Sequence, residues 1–170
     1  MSLKLRFHVF ETNLGWVGVT LTDAGLHSIA LPRACEDEAM REVMMEGGSD
    51  PASEKEARSV EAAVERIIAG QPAGDGLLID WSGITSFRRA VLEECMRIPA
   101  GQTLSYGELG ARVGHPRSAR AVGRVMATNP WPLLVPCHRV VGSTGHLHGY
   151  GGGLPMKEHL LRAEGASFPR

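Results

Sequence analysis

The chain has 170 residues, enough for one good core or two small ones. Hydrophobic residues make up 43% and charged residues 22%, an ordinary globular balance, and no apolar run approaches the roughly 18 residues of a membrane span. The formal net charge of −1 conceals an asymmetry: residues 1–85 carry 7 Lys+Arg against 14 Asp+Glu, whereas residues 86–170 carry 11 against 5. A basic half of this kind points to a polyanionic partner.

In chain order, Leu3, Leu5, Phe7 and Val9 alternate with Lys4, Arg6 and His8, the period of a half-buried strand. Gly15–Leu21 reads as a second strand. Thr22–Gly25 makes a turn, and Leu26–Leu31 reads as a third strand. Two helices follow, over about Glu36–Glu46 and Ser53–Ala69, with Gly47–Pro51 between them as a separator. Gly70–Gly76 is the loosest stretch, Leu77–Asp80 reads as one more strand at the sheet edge, and Trp81–Ser86 as a linker. From Ser86 a helical pattern buries Phe87, Ala90, Val91, Cys95 and Ile98 until Pro99 stops it. Ser105 and Glu108 form a capping box that opens a helix to about Val113. Gly114-His115-Pro116 is a tight turn, and a third helix runs from about Arg117 to Thr128. Two short helices around such a turn match a helix-turn-helix at about 105–128. Asn129-Pro130-Trp131-Pro132 breaks that helix, Leu133-Leu134-Val135 reads as a buried strand, and a last helix covers about Pro155–Ala163.

These elements give an N-terminal α/β domain over 1–80 with a small antiparallel sheet. A mostly helical domain over 86–166 follows, with an active-site loop at about 136–153. The start, "MSLKLRFHVF", has no apolar signal core. With three widely spaced cysteines and no CxxC, the expected location is cytoplasmic, or nuclear if the source has a nucleus.

Chemistry concentrates in the second half. In "RSARAVGRVMAT", Arg120 and Arg124 lie four apart and share a face, and Ala119, Ala121, Gly123 and Ala127 are small enough to let a helix backbone approach a ligand closely. The same pattern also serves a surface helix packed through its alanines. Cys137 stands between Pro136 and His138-Arg139, where a central strand cannot continue. A neighbouring cation favours the thiolate, the nucleophilic form. Triad logic asks for a carboxylate to orient the histidine, and Glu158 and Glu164 both qualify. Gly149–Gly153 lacks the spacing of a phosphate loop and reads as backbone closing over a flat ligand. His146 and His148 lack an evident third ligand, so no metal is expected.

Taken together, "SYGEL", "ARAVGRVMATNP", "VPCHRVVGSTG", "GYGGG" and "KEHLLRAEG", in this order and at this spacing, resemble the O6-alkylguanine-DNA alkyltransferase family over about Ser86–Ala166. The first 85 residues are compatible with its divergent strand-rich domain. The resemblance implies a monomer without cofactor that binds double-stranded DNA through the minor groove and flips alkylated guanine into a pocket, and it leaves open whether O4-alkylthymine is also taken. It implies that Arg120 fills the gap in the stack, and that the helix bearing Arg124, Ala119, Ala121 and Gly123 meets the DNA. Tyr106 sits by the flipped nucleotide, and Cys137 takes the alkyl group once, activated by His138 and Glu164 while Asn129 braces the loop. Val140, Tyr150, Gly151 and Gly152 form the pocket's wall and lid. The family's zinc is not expected, because the first half offers only Cys35, His8 and His27. The chain departs from the family at Arg88, Leu92, Ala100 and His148. The rival is an alkylated-DNA sensor without transfer, against which Cys137 itself stands. A transcription regulator needs more chain, and a Cys-His hydrolase has no support in the motif series.

Overall fold

The computed structural model describes residues 4–169, so Leu3 of the first alternation lies outside the described residues. The alternating start forms β1 (Leu5–Thr12), which turns at Asn13-Leu14 into β2 (Gly15–Thr22), paired antiparallel from Arg6↔Leu21 to Thr12↔Gly15. β3 (Gly25–Ile29) pairs antiparallel with β2. Helix α1 (Glu36–Met45) then crosses the sheet, and β4 (Gly48–Pro51) pairs with the free edge of β1 in parallel. The order is β3-β2-β1-β4, so the sheet is mixed, not antiparallel as expected. The crossover through α1 carries the chain to the far edge of the sheet, and arriving there after a helix sets the parallel sense.

β2 is buried over its last six residues, so both of its faces are covered. On one face Gly18 admits α1, since a Cβ there would stand 2.7 Å from the Val43 side chain. Helix α2 (Glu54–Ile68) starts at a Ser53–Glu56 capping box and buries Val60, Ala63, Val64, Ile67 and Ile68. The box satisfies the first-turn amides at the exposed start, and the apolar stripe packs the helix along its length.

Leu77–Asp80 is not a strand. It makes a single bridge, Ile79 to Leu26, with Leu26 N donating to Leu78 O at 2.8 Å and Asp80 N to Leu26 O at 2.9 Å. The buried Asp80 carboxylate holds it by accepting from Thr22 Oγ1 and Ser82 N.

The second half contains α3 (Ser86–Met96), β5 (Leu104–Ser105), α4 (Tyr106–Arg112), α5 (Ala119–Ala127), a 3-10 turn (Cys137–Arg139), β6 (Val140–Val141) and α6 (Leu154–Ala163). One hydrophobic cluster joins it to the sheet, with Leu26, Ile29 and Leu31 beside Val91, Leu92, Trp131, Leu133 and Leu160. Trp131 is the rivet: its indole Nε1–H donates to Leu26 O at 2.9 Å, and Trp81 packs edge-on at 4.9 Å. No helix among the described residues is long and apolar enough to cross a membrane.

Leu133–Val135 is a turn rather than the expected strand. Leu133 is buried with φ 75°, the left-handed region that costs a non-glycine residue about 1–2 kcal/mol. Asn129 enforces the turn from both sides: its Nδ2 donates to Val135 O at 3.0 Å and its Oδ1 accepts from Trp131 N at 3.0 Å. Prolines at 130, 132 and 136 remove the amides that a strand would need.

Candidate active site

The compacted loop delivers Cys137 to the start of the 3-10 turn. The next residues form β6, which pairs in parallel with β5 through Leu104↔Val140 and Ser105↔Val141. β5 runs directly into α4, whose Ser105–Glu108 capping box fixes its first residue, Tyr106. A two-residue ladder, missed in the sequence, thus brings Tyr106 and Cys137 to one cavity.

That cavity has a volume of about 410 Å³, and its walls include Tyr106, Gly123, Met126, Asn129, Cys137, Tyr150 and Gly151. Six of the expected site residues therefore meet there. Val140 and Gly152, expected in the pocket, do not line it. Val140 is fully buried in the β5–β6 ladder, and Gly152 packs against Met156. Leu31, Met126 and Pro132 line it and were not expected.

Behind the thiol lies a buried ionic unit. His138 is fully buried, and its Nε2 lies 2.8 Å from Glu164 Oε1. A carboxylate can only accept, so the proton sits on Nε2 and Nδ1 carries the lone pair. Nδ1 is buried without a hydrogen-bond partner among the described residues. Burial lowers the His138 pKa against the opposing pull of Glu164, which favours the neutral ring. Arg139, read from the sequence as a cation beside the thiol, grips the same carboxylate, Nε to Oε2 at 3.0 Å and Nη2 to Oε1 at 2.7 Å. Burial alone would raise Glu164, but hydrogen bonds from His138 and Arg139 outweigh it and hold the carboxyl down at about 2.

Burial raises the Cys137 thiol, and the Asn129 side chain, Lys157 and the amides of Cys137 and His138 oppose that rise. At rest the sulfur is therefore a protonated thiol surrounded by groups that stabilise its anion. Lys157 is fully buried and was also missed. Its Nζ donates to Val140 O at 2.7 Å and His148 O at 3.0 Å, tying α6 to β6 and to the loop before Gly149. Burial pushes its ammonium down to about 8, against the pull of Cys137 and Cys95. The signal was present: 157, 160, 161 and 164 form one helical stripe, and a lysine on it must be buried. Glu158 lies off that stripe and pairs with Arg162 at 2.6 Å.

Arg120, Arg124, Ala119 and Ala121 are exposed on α5, opposite its buried Val122, Val125 and Met126. Arg120 and Arg124 have no carboxylate partner among the described residues. Arg88 reaches across from α3 to the Thr128 carbonyl and so fastens the end of α5 just before Asn129.

Two glycines seat the end of α6. Gly101 has φ 81° and a Cβ there would lie 2.8 Å from Glu164 O, while one on Gly70, φ 75°, would lie 2.4 Å from Ala163 O. Gly101→Ala is expected to destabilise the chain by about 1–3 kcal/mol through backbone strain and further through the Glu164 clash. Gly83→Ala, with φ 75° and open space around it, isolates the strain alone. Equal losses in urea titrations of the two variants would show that the Glu164 contact adds nothing.

The fold and site define a class: a cysteine–histidine–glutamate protein with its thiol in a cavity between a small mixed sheet and a helical half. A family model described as 6-O-methylguanine DNA methyltransferase, DNA binding domain, matches residues 86–166. A methylated-DNA–protein-cysteine methyltransferase of Salmonella typhimurium is 50% identical over 84 residues, 49% of this chain and 49% of that protein. One of Mycolicibacterium paratuberculosis is 42% identical over 115 residues, 66% of this chain and 69% of that protein. The crystal structure of Mycobacterium tuberculosis O6-methylguanine methyltransferase superposes with a TM-score of 0.74 at 30% identity, covering 95% of this chain and 93% of the other. That of the M. tuberculosis OGT in complex with DNA superposes at 0.76 and 28%, covering 94% and 92%. The chain belongs to the methylated-DNA–protein-cysteine methyltransferase family, and spans about half the length of the first curated relatives that it matches.

Proposed function

We propose that the protein repairs DNA in the cytoplasm by one-time transfer of an alkyl group from O6-alkylguanine to Cys137. The observation that carries this reading is the His138–Glu164 pair, Nε2 to Oε1 at 2.8 Å, which leaves Nδ1 without a partner among the described residues in the residue next to the buried Cys137. Nδ1 takes the thiol proton, through a water in the family's manner, and the sulfur attacks the alkyl carbon in line. The S–C bond forms as the C–O6 bond breaks, and guanine leaves with a proton, Tyr106 assisting. The thioether is stable and nothing in the site is disposed to hydrolyse it, so each molecule reacts once. No metal or nucleotide cofactor enters the step.

On this reading residues 1–80 form the sheet-bearing domain and 86–166 the alkyltransferase domain. α4 and α5 serve as a helix-turn-helix whose exposed face, with Ala119, Arg120, Ala121 and Arg124, lies in the minor groove of damaged duplex. Asn129 braces the loop between α5 and Cys137, and Tyr150 with Gly151 closes over the flipped base.

The test is the intact mass of the protein after incubation with a duplex carrying one O6-methylguanine. A single methyl-for-hydrogen exchange, mapped to the Cys137 peptide, supports the reading, and lesion binding without a mass change would make the protein a sensor instead.

If Arg120 holds the gap left by the flipped base, Arg120→Ala slows transfer from duplex by about 10- to 100-fold, the kinetic equivalent of a few kcal/mol of unstacking, and spares reaction with free O6-alkylguanine. Equal losses on the two substrates would remove Arg120 from that role.

A further inference from the structure

We infer that Leu31, supplied by the sheet-bearing half, limits the size of the alkyl group that the cavity accepts; the inference rests on the transfer reaction proposed above. Among the cavity's lining residues Leu31 alone comes from residues 1–85. It lies two residues past β3, in a segment held along its length by backbone bonds. Ile29 N donates to Pro130 O at 2.8 Å, Ala30 N to Gly18 O at 2.7 Å and Arg33 N to Trp16 O at 2.8 Å. Pro32 fixes the next φ. Leu31 is 8% exposed, a member of the shared core, so its side chain cannot swing aside without breaking that packing.

The same cavity is lined by Gly149, Tyr150 and Gly151, two of which offer only hydrogens. A methyl group on Gly151 would come within 3.2 Å of Leu31 Cδ1, tighter than ordinary van der Waals contact. Leu31 and Gly151 therefore nearly touch where both border the cavity. With nothing projecting from the glycines, the Leu31 side chain is what closes the cavity on that side. At about 410 Å³ the cavity lies within the roughly 300–1,000 Å³ that encloses drug-sized ligands, so an aryl-sized substituent on the base fits its scale. The chemical step is unchanged: the thiol S–H is exchanged for S–alkyl and guanine carries away the proton.

The test uses the full chain and two duplexes of one sequence, bearing O6-methylguanine or O6-benzylguanine, with transfer followed by the mass of the Cys137 peptide. The benzyl-to-methyl rate ratio is expected to rise about tenfold in Leu31→Ala, the scale of discrimination that one or two methylenes give an apolar pocket. Leu31→Val, which keeps most of the packing, moves the ratio the same way by a smaller step. Gly151→Ala lowers the ratio, and adding Leu31→Ala to it restores much of the loss, because the removed methyl is the one that the new Cβ meets. A ratio unchanged in both Leu31 variants, or a Gly151→Ala loss that Leu31→Ala does not relieve, overturns the inference while leaving transfer intact. Absence of transfer by the wild-type protein from either duplex overturns the transfer reading, and the inference with it.

Discussion

Cys137→Ser is expected to bind alkylated duplex as the wild type does and to gain no methyl group at all. A serine hydroxyl fills the space of the thiol, so the cavity and the exposed face of α5 stay as they are. The chemistry does not survive, because a neutral imidazole cannot generate an alkoxide, whereas a thiol flanked by the Asn129 side chain and Lys157 is within its reach. The two other cysteines offer no substitute. Cys95 is fully buried and its thiol is pushed far up by burial, and Cys35 is exposed at the start of α1. Intact mass and a gel-shift titration check the two halves of this expectation, and a methylated Cys137→Ser protein would remove Cys137 as the acceptor.

Glu164→Gln is expected to lower the transfer rate by about 100-fold or more, the range of a positioned acid–base group, and to cost about 3–5 kcal/mol of stability. The carboxylate side chain is 2% exposed and answers both His138 and Arg139. Its removal leaves the guanidinium without its charge partner and loosens the tautomer that frees Nδ1. The pH dependence has a definite sign. A carboxyl held at about 2 in the folded state, against 4.5 when unperturbed, adds stability that is fully present above about pH 4.5 and disappears as pH falls toward 2. The separation corresponds to roughly 3 kcal/mol. Urea titrations of wild type and Glu164→Gln should therefore converge on acidification through that window. A gap that stays constant from pH 7 to pH 3 would mean that the ionised carboxylate does not carry the effect.

Much of this was legible in the sequence where local physics decides. The Ser105–Glu108 box, the period of α2 and the prolines after α3 and α5 placed those helices to within about two residues. Tyr106 and Asn129 do line the cavity of Cys137, and Glu164 does bond the adjacent His138. What remained hidden depends on partners far along the chain. Gly48–Pro51 has the composition of a turn and becomes a strand only because the edge of β1 lies beside it. Leu133–Val135 has the composition of a strand, and the two bonds of Asn129 fold it into a turn instead. Arg139 stood in the motif itself, but adjacency does not reveal that its guanidinium shares a carboxylate with His138. Leu31 could not be found by any pattern, since a leucine after a strand reads as ordinary core.

The glycine seats at the end of α6 bear on how far the chain can be divided. The matched family model begins at residue 86, and the groups that stabilise the sulfur's anion, Asn129, Lys157 and the amides of Cys137 and His138, lie beyond that point. Yet the carbonyl of Ala163, one residue before Glu164, rests against Gly70, and the cavity borrows a wall from Leu31. The acidic half is thus a template on which the reactive half acquires its final shape, and a fragment cut at the linker would keep the whole inventory of reactive side chains while losing the mould that sets them.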